Sequence, residues 1–199
     1  MGKIDFGSAF SVGFSGYGKN VINLGVATLI AGVIGIVSLG ICMPAMAAGL
    51  YVMSLKAVRG EGTEIGDIFK GFNGFGRYFL GALLAFALVI GGFVALCIGV
   101  FVVAGVLVFF YPMLVDRQEM GVGDALGECW SYFKGDWLMA ILFSLVTSLI
   151  SSAGNSIPVI GALITVPIST CIVAAAYDQV FNATAAVPAA APPAAMPIE

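Results

Sequence analysis

Eight acidic side chains in the charged segments of the chain are the residues that could support acid–base chemistry. They are Glu61, Glu64, Asp67, Asp116, Glu119, Asp124, Glu128 and Asp136. A catalytic role would need a partner such as a histidine, or a nucleophile on a Gly-x-Ser-x-Gly turn. The sequence has no histidine and no such turn. We therefore predict that these acids form solvated faces, that the chain has no catalytic residue and that it is not an enzyme.

The cysteines give no sign of a metal or redox site. Cys42, Cys97, Cys129 and Cys171 lie far apart, without the close spacing of metal ligands or of a redox pair. Three of the four fall inside apolar runs, where a free cysteine behaves as a small hydrophobe. We predict no metal site, no cofactor and no disulfide framework.

The composition excludes an ordinary water-soluble protein. Hydrophobic residues make up 60% of the chain and charged residues only 10%, whereas soluble domains have about 25% charged residues. The net charge of −3 and the lack of a basic run argue against a nucleic-acid partner. The elements that position any functional residue must therefore lie in a membrane.

Three long uncharged stretches define the predicted spans. They cover residues 20–55, 78–115 and 137–177, or 36 to 41 residues each. A single helix of that length would reach roughly 55 to 60 Å, about twice the hydrocarbon thickness. Each stretch should therefore cross twice, with turns at Gly40 and Pro44, at Gly91-Gly92 and at residues 151–158. The fold class predicted is an all-α, polytopic transmembrane bundle of about six spans in three hairpins.

The distribution of charge predicts the orientation of the bundle. Double crossings return all eight basic residues to one side, and Lys and Arg favour the cytoplasmic side. We predict a multi-pass protein of the cell inner membrane with both termini cytoplasmic. The helix after Pro44 has only about a dozen residues before Lys56, so it either tilts or enters only partway.

An internal repeat divides the chain into three units. The residues Phe14-Ser15-Gly16-Tyr17-Gly18-Lys19 recur 58 positions later as Phe72-Asn73-Gly74-Phe75-Gly76-Arg77, and a degenerate copy follows at 130–134. Arg59 likewise returns as Arg117. The predicted transmembrane domain, residues 1–182, then comprises pseudo-repeats 1–58, 59–116 and 117–176. The Ala/Pro-rich tail, residues 183–199, is predicted to be disordered, either inert or a docking peptide.

Each unit begins with a charged connector whose apolar residues follow helical spacing. Such a segment is typical of an amphipathic helix at the headgroup level. The predicted membrane-interface residues are Phe10, Phe14, Tyr17, Phe69, Phe72, Phe75, Trp130, Phe133 and Trp137. An aromatic box for a ligand is the alternative interpretation of the same residues.

Two groups of residues carry a resemblance to known sequences. One group comprises Tyr111-Pro112-Met113-Leu114-Val115-Asp116-Arg117, then Gly123-Asp124-Ala125-Leu126, then Ser131 and Lys134-Gly135-Asp136-Trp137. The other comprises Arg59-Gly60-Glu61 followed by Asp67-Ile68-Phe69-Lys70-Gly71-Phe72. Over residues 40–140 the chain resembles uncharacterised prokaryotic membrane-protein families, which are similar to the membrane-anchor domain of some glycerophosphodiester phosphodiesterases. The resemblance implies a helical membrane bundle and carries over no active site.

The sequence favours a non-enzymatic membrane scaffold or accessory subunit. Its expected partners are membrane lipids and either a second copy or another membrane protein. A transporter or lipid-handling protein is the alternative, and an enzyme acting on lipid headgroups is a third possibility. A polar, water-accessible cavity between the hairpins would favour the transporter or lipid-handling protein, whereas a dry, tightly packed bundle would favour the scaffold.

Overall fold

The predicted all-α class is confirmed for the part of the chain that the structure describes. The computed structural model describes residues 4–94, 98–154 and 160–182, and every regular element in these ranges is a helix. In chain order the elements are α1 (Phe6–Lys19), α2 (Val21–Val37), α3 (Met43–Val58), a 3₁₀ helix (Ile65–Gly74), α4 (Phe75–Val94), α5 (Ile98–Leu107), α6 (Phe110–Asp116), α7 (Val122–Gly135), α8 (Trp137–Gly154) and α9 (Ile160–Phe181). The predicted disordered tail, 183–199, lies outside the described residues.

Two to four helices of the described chain have the length and composition to cross a membrane. The stretch Ile65–Gly92 and the helix Leu163–Phe181 qualify alone. Two further crossings result if the bent pairs α1–α2 and α7–α8 each count as one span. Met43–Val58 and Phe101–Asp116 are apolar but shorter, and 16 residues of helix reach only about 24 Å. The structure therefore gives fewer certain crossings than the six predicted.

The first and third connectors turn sharply into the helix that follows. The bend is 86° between α1 and α2 and 109° between α7 and α8. At the first bend the Asn20 side chain donates to the carbonyl of Gly16, which satisfies one of the free carbonyls at the end of α1. The second connector, the 3₁₀ helix, instead continues into α4 as one helical stretch.

The sequence located the turn of the first hairpin correctly but misplaced that of the second. Leu39 and Gly40 adopt positive φ angles of 50° and 85°, and Pro44 lies in the first turn of α3. The first turn is therefore at the predicted residues. Gly91-Gly92 instead lies inside α4, which extends to Val94. The third predicted turn falls largely on residues 155–159, which lie outside the described residues.

The connectors and the second helices of the hairpins pack in a cyclic order. The 3₁₀ helix of the second unit packs on α3 of the first, and α7 of the third unit packs on α5 and α6 of the second. The cycle closes because α1 of the first unit packs on α9 of the third. We call the second helix of each hairpin its returning helix. Each connector thus lies against the returning helix of the preceding unit.

Glycine makes two of these contacts possible. A Cβ at Gly71 would meet the backbone of Ala45 and Gly49 in α3, and a Cβ at Gly13 would lie 2.8 Å from Cα of Ile172 in α9. Because real Cβ atoms do not approach backbone this closely, both positions require glycine at this packing distance. Gly13 and Gly71 are themselves 58 positions apart.

The returning helices α3, α6 and α9 form the centre of the bundle. Their buried side chains include Met53, Phe110, Met113, Ile172 and Tyr177. These helices therefore supply much of the hydrophobic core.

Candidate functional site

A partly buried ionic cluster joins the ends of the three returning helices. Arg59 follows α3, Asp116 ends α6 and Asp178 belongs to the last turn of α9. The Arg59 guanidinium donates two hydrogen bonds to Asp178, from Nη2 at 2.8 Å and from Nε at 3.0 Å, and its Nη2 also lies 2.7 Å from Oδ1 of Asp116. We call these three residues the ionic cluster.

Two neutral donors complete the cluster. The Tyr177 hydroxyl donates to Oδ2 of Asp116 at 3.1 Å, and the Asn182 amide donates to the same oxygen at 3.0 Å and to Asp178 at 3.1 Å. Because one guanidinium faces two carboxylates, these donors offset the excess negative charge.

The ionic cluster favours the ionised form of Asp116. Burial alone would raise the pKa of Asp116, but hydrogen bonds from Asn182 and Arg59, together with the Arg59 charge, outweigh burial and hold that pKa below its usual range. Hydrogen bonding to Asp178 raises the pKa of Arg59 above its usual range. A general acid or base works best with a pKa near the operating pH. The pKa of Asp116 is shifted away from that range, and the geometry of the cluster is that of an ion-paired contact between three helices.

The expectation that the acids form solvated faces is wrong for two of them. Asp67 is buried and receives two hydrogen bonds of 3.0 Å from Lys56, and it also pairs with Lys70. Asp116 belongs to the ionic cluster. Asp67 can be buried and Asp116 partly buried because each one gains a cationic partner from another turn or helix, which sequence spacing alone does not reveal.

Polar contacts also join the start of a hairpin to the loop that opens the next unit. Thr63 donates to the Asn20 side chain at 2.8 Å and accepts from Asn23 through its carbonyl. In the second unit Arg77 donates to the carbonyls of Gln118 and, at 2.7 Å, Arg117. The basic residue of the repeated motif thus has a positioning role.

Three clefts surround Tyr51 near the middle of α3. An apolar cleft of about 450 Å³ lies between α2, α3 and α9, and another of about 560 Å³ lies between α3, α4 and α6. The third, of about 350 Å³, lies between α5, α8 and α9 and is lined by hydroxyl groups. Tyr51 lines all three clefts. The clefts therefore lie between helices of different hairpins.

The third cleft is the polar one, and we call it the hydroxyl cleft. Its hydroxyl-bearing residues are Tyr51, Thr147, Ser148, Ser151, Ser152 and Ser169, and its apolar lining comes from Leu107, Val108 and Val173. No acid or base is among these lining residues. The cleft can therefore hydrogen-bond an uncharged group but cannot neutralise a charged one.

The predicted interface aromatics fall into two groups. Five of them expose between 37% and 56% of their surface, namely Phe14, Phe69, Phe72, Trp130 and Trp137. Phe10, Tyr17 and Phe75 are half-buried.

Phe133 is the exception among these aromatics. It is buried and would contact a Cβ placed at Gly105, so its ring packs α7 on α5 and does not face outward. Rings of Phe69, Phe72, Phe75 and Phe79 stack in sequence at centroid distances of 5.8 to 6.5 Å. These four rings pack on each other along one surface.

The described part of the chain bears on the predictions about metal sites and cysteines. In residues 4–94, 98–154 and 160–182 no group of three or more His, Cys, Asp or Glu is placed to hold a metal ion. Cys129 and Cys171 are buried, and the nearest sulfur contact of Cys129 is with Met113 at 4.0 Å. These cysteines serve as packing residues.

Sequence reasoning missed both the ionic cluster and the clefts. One signal was available for the cluster, because Arg59, Asp116 and Asp178 each lie within a few residues of the end of an uncharged stretch. In three parallel returning helices such residues would reach one level. The clefts had no comparable signal, since their lining residues are ordinary members of apolar runs.

Comparisons of the chain with protein-family models, with curated proteins and with solved structures found no match. The site's chemistry alone therefore carries the functional argument.

Proposed function

We propose that this chain is a multi-pass protein of the cell inner membrane with six crossings in three hairpins and both termini cytoplasmic. The contact of Arg59 with Asp116 and Asp178 supports this topology, because it brings the ends of all three returning helices to one level. Each hairpin then starts and finishes on the same side. The short helices α3 and Phe101–Asp116 would cross where the bilayer thins locally, at a modest cost per ångström of mismatch.

The cyclic packing supports three equivalent units within that topology. Each connector lies on the returning helix of the preceding unit, and the first connector closes the cycle on α9. We propose that the connectors are interfacial helices, with Phe14, Phe69 and Trp130 at the level of the lipid headgroups. The 86° and 109° bends support this placement for the first and third connectors.

The proposed biochemical role is non-enzymatic lipid handling, meaning that the bundle binds a membrane lipid between its hairpins. The observation that carries this proposal is the set of three clefts around Tyr51, with volumes from about 350 to 560 Å³. This size matches ordinary small-molecule sites, which span about 300 to 1,000 Å³. Two clefts are apolar and one is polar, a combination that suits an amphiphile.

The proposal is tested by filling two clefts with one substitution. Ala47 lines both apolar clefts, so Ala47→Phe should occupy space that a lipid chain would take. Ala87 is exposed on α4 and is not among the residues that line either apolar cleft, and Ala87→Phe is the matched control. Native mass spectrometry of protein purified in mild detergent should show retained lipid in the wild type and the control, and a clear loss in Ala47→Phe.

Equal lipid retention in both variants would contradict the proposal. Thermal unfolding followed by circular dichroism checks that both variants fold. A folded Ala47→Phe variant that keeps all of its lipid shows that the apolar clefts are not the binding site.

A scaffold or accessory subunit is the second candidate, and the ionic cluster favours it. Arg59 joins three hairpins through partly buried ion pairs, which gives a rigid cytoplasmic end suited to holding a partner. Chemical cross-linking in native membranes tests this candidate. A defined partner or a second copy cross-linked at the connectors would support it, and a monomer without partners would contradict it.

A further inference from the structure

The hydroxyl cleft has a directional hydrogen-bonding pattern that restricts its ligand. Each hydroxyl has one hydrogen to donate and lone pairs with which to accept. Thr147 donates to the carbonyls of Phe143 at 2.9 Å and Ser144 at 3.1 Å, within its own helix. The hydrogen of Thr147 is therefore already used, and only its lone pairs remain for a ligand.

The facing hydroxyls show the same pattern. Ser169 donates to the carbonyls of Thr165 and Val166, both at 3.0 Å. Ser151 donates to Ser169 across the α8–α9 contact at 2.8 Å. Both hydroxyl hydrogens point into the protein, so the lining offers acceptors from Thr147, Ser151 and Ser169 together.

Two further serines lie at the rim of the cleft. Ser148 and Ser152 line it from α8 and are exposed. The Tyr51 phenol also lines the cleft. These three hydroxyls can rotate to donate or to accept, so they adapt to a ligand, whereas Thr147, Ser151 and Ser169 offer only lone pairs.

The charge balance of the lining excludes ionic headgroups. A phosphate or carboxylate would lose its hydration among hydroxyls that have no cationic partner, and an ammonium would find no carboxylate. A neutral hydroxyl group loses little if it donates to one of the acceptors.

From this arrangement we infer that the hydroxyl cleft binds the headgroup of an uncharged lipid that donates hydrogen bonds through a free hydroxyl. This inference rests on the proposed lipid-handling function and names the class of lipid. The hydroxyl of the ligand donates to Thr147, Ser151 or Ser169. Its hydrocarbon chains leave past Tyr51, which the hydroxyl cleft shares with the two apolar clefts.

The test uses three photoreactive probes that differ only at the headgroup. Each has the same acyl chains, one of which contains a diazirine. The first is a diacylglycerol, the second is its O-methyl ether, which accepts but cannot donate, and the third is the corresponding phosphatidic acid. The full chain is reconstituted in phosphatidylcholine vesicles with one probe at a time, and mass spectrometry locates adducts on peptides of α3, α5, α8 and α9.

The diacylglycerol probe should label the cleft helices about fivefold to tenfold more than either other probe, as expected for one hydrogen bond to a buried acceptor. The double variant Thr147→Val with Ser151→Ala should reduce diacylglycerol labelling to the level of the methyl ether. Thr165→Val is the matched control, because Thr165 makes the same bond to its own helix, to Gly161 at 2.9 Å, but does not line the cleft. That control should label as the wild type does.

The possible failures are distinguishable. Equal labelling by all three probes would overturn the inferred headgroup preference and leave lipid binding in place. Absence of labelling on the cleft helices by every probe would overturn both the inference and the proposed function. Circular dichroism melting of the variants ensures that a lost signal reflects binding and not unfolding.

Discussion

At the scale of single residues, Arg59 stands out because its guanidinium contacts two carboxylates from distant parts of the chain. Its guanidinium is 28% exposed, while the carboxylates of Asp178 and Asp116 are 7% and 16% exposed. A buried ion pair contributes little net stability when intact, but removal of one partner leaves an uncompensated charge. The ionic cluster therefore specifies how the three hairpins meet more than it adds stability.

Replacement of Arg59 should destabilise the bundle strongly. We expect Arg59→Met to lower the free energy of unfolding by about 2 to 4 kcal/mol, because both carboxylates lose their cation. The control is Arg117→Met, at the equivalent position of the next unit. Arg117 pairs with a single and more exposed carboxylate, that of Glu128, so its loss should cost no more than about 1 kcal/mol. Unfolding by sodium dodecyl sulfate in mixed micelles measures both, and similar losses would show that the cluster has no special role.

Because the pKa of Asp116 is lowered in the folded protein, the free energy of unfolding should depend on pH. A carboxyl whose folded-state pKa lies below its unfolded value, about 3.9, stabilises the protein above that value. This contribution is lost as the pH falls from about 4 toward the folded-state pKa. Asp116→Asn should therefore unfold with a weaker dependence on pH between about pH 5 and pH 3 than the wild type. An unchanged pH profile would indicate that Asp116 is not paired in the folded state.

At the scale of elements, the connectors are packing units as well as amphipathic segments. The 3₁₀ helix approaches α3 so closely that Cβ atoms at Gly71 and Gly49 would overlap the opposite backbone. The remaining surface of the segment carries the exposed rings of Phe69 and Phe72. One face therefore fixes the connector to the preceding unit, and the other is free to contact lipid.

A methyl group at the close contact should separate the two elements. Gly71→Ala places a Cβ against the backbone of α3, and overpacking of this kind costs about 1 to 3 kcal/mol. Gly66→Ala in the same 3₁₀ helix is the control, because a Cβ there has no neighbour within 4 Å, and alanine should be neutral or slightly stabilising. The midpoint of thermal unfolding compares them, and equal midpoints would mean that the connector does not lie on α3 as described.

At the scale of the whole molecule, the ionic cluster and the connectors lie at the charged end of the bundle, and three clefts around Tyr51 lie between its hairpins. If each unit crosses twice, the units are parallel repeats and can be related by rotation about the membrane normal. The cyclic order of connector packing agrees with such a rotation.

Accessibility measurements should place the two ends on opposite sides of the membrane. Single cysteines at Glu61 and Glu119, introduced into a cysteine-free background, should react with an impermeant thiol reagent only from the cytoplasmic side. A cysteine at Leu39, which is 91% exposed at the first hairpin turn, should react only from the opposite side. Labelling of Glu61 and Glu119 from opposite sides would refute the double crossing of the second unit.

The sequence by itself determined the helical class, the three apolar stretches and the surface position of most connector aromatics. These features depend on local composition and periodicity, which act within one helix or one turn. The turn at Gly40 and Pro44 was predictable for the same reason, since positive φ and a missing N–H are local requirements.

Only the tertiary structure decided which charges are buried, which aromatic ring faces inward and where space is left between the hairpins. Asp116 and Asp178 lie 62 positions apart, yet both contact Arg59, and Phe133 is buried because α7 lies on α5. The clefts arise from the distances between helices and not from the residues within any one of them. Contacts between distant segments depend on how helices are arranged, and the hydrophobic pattern of each helix does not specify that arrangement.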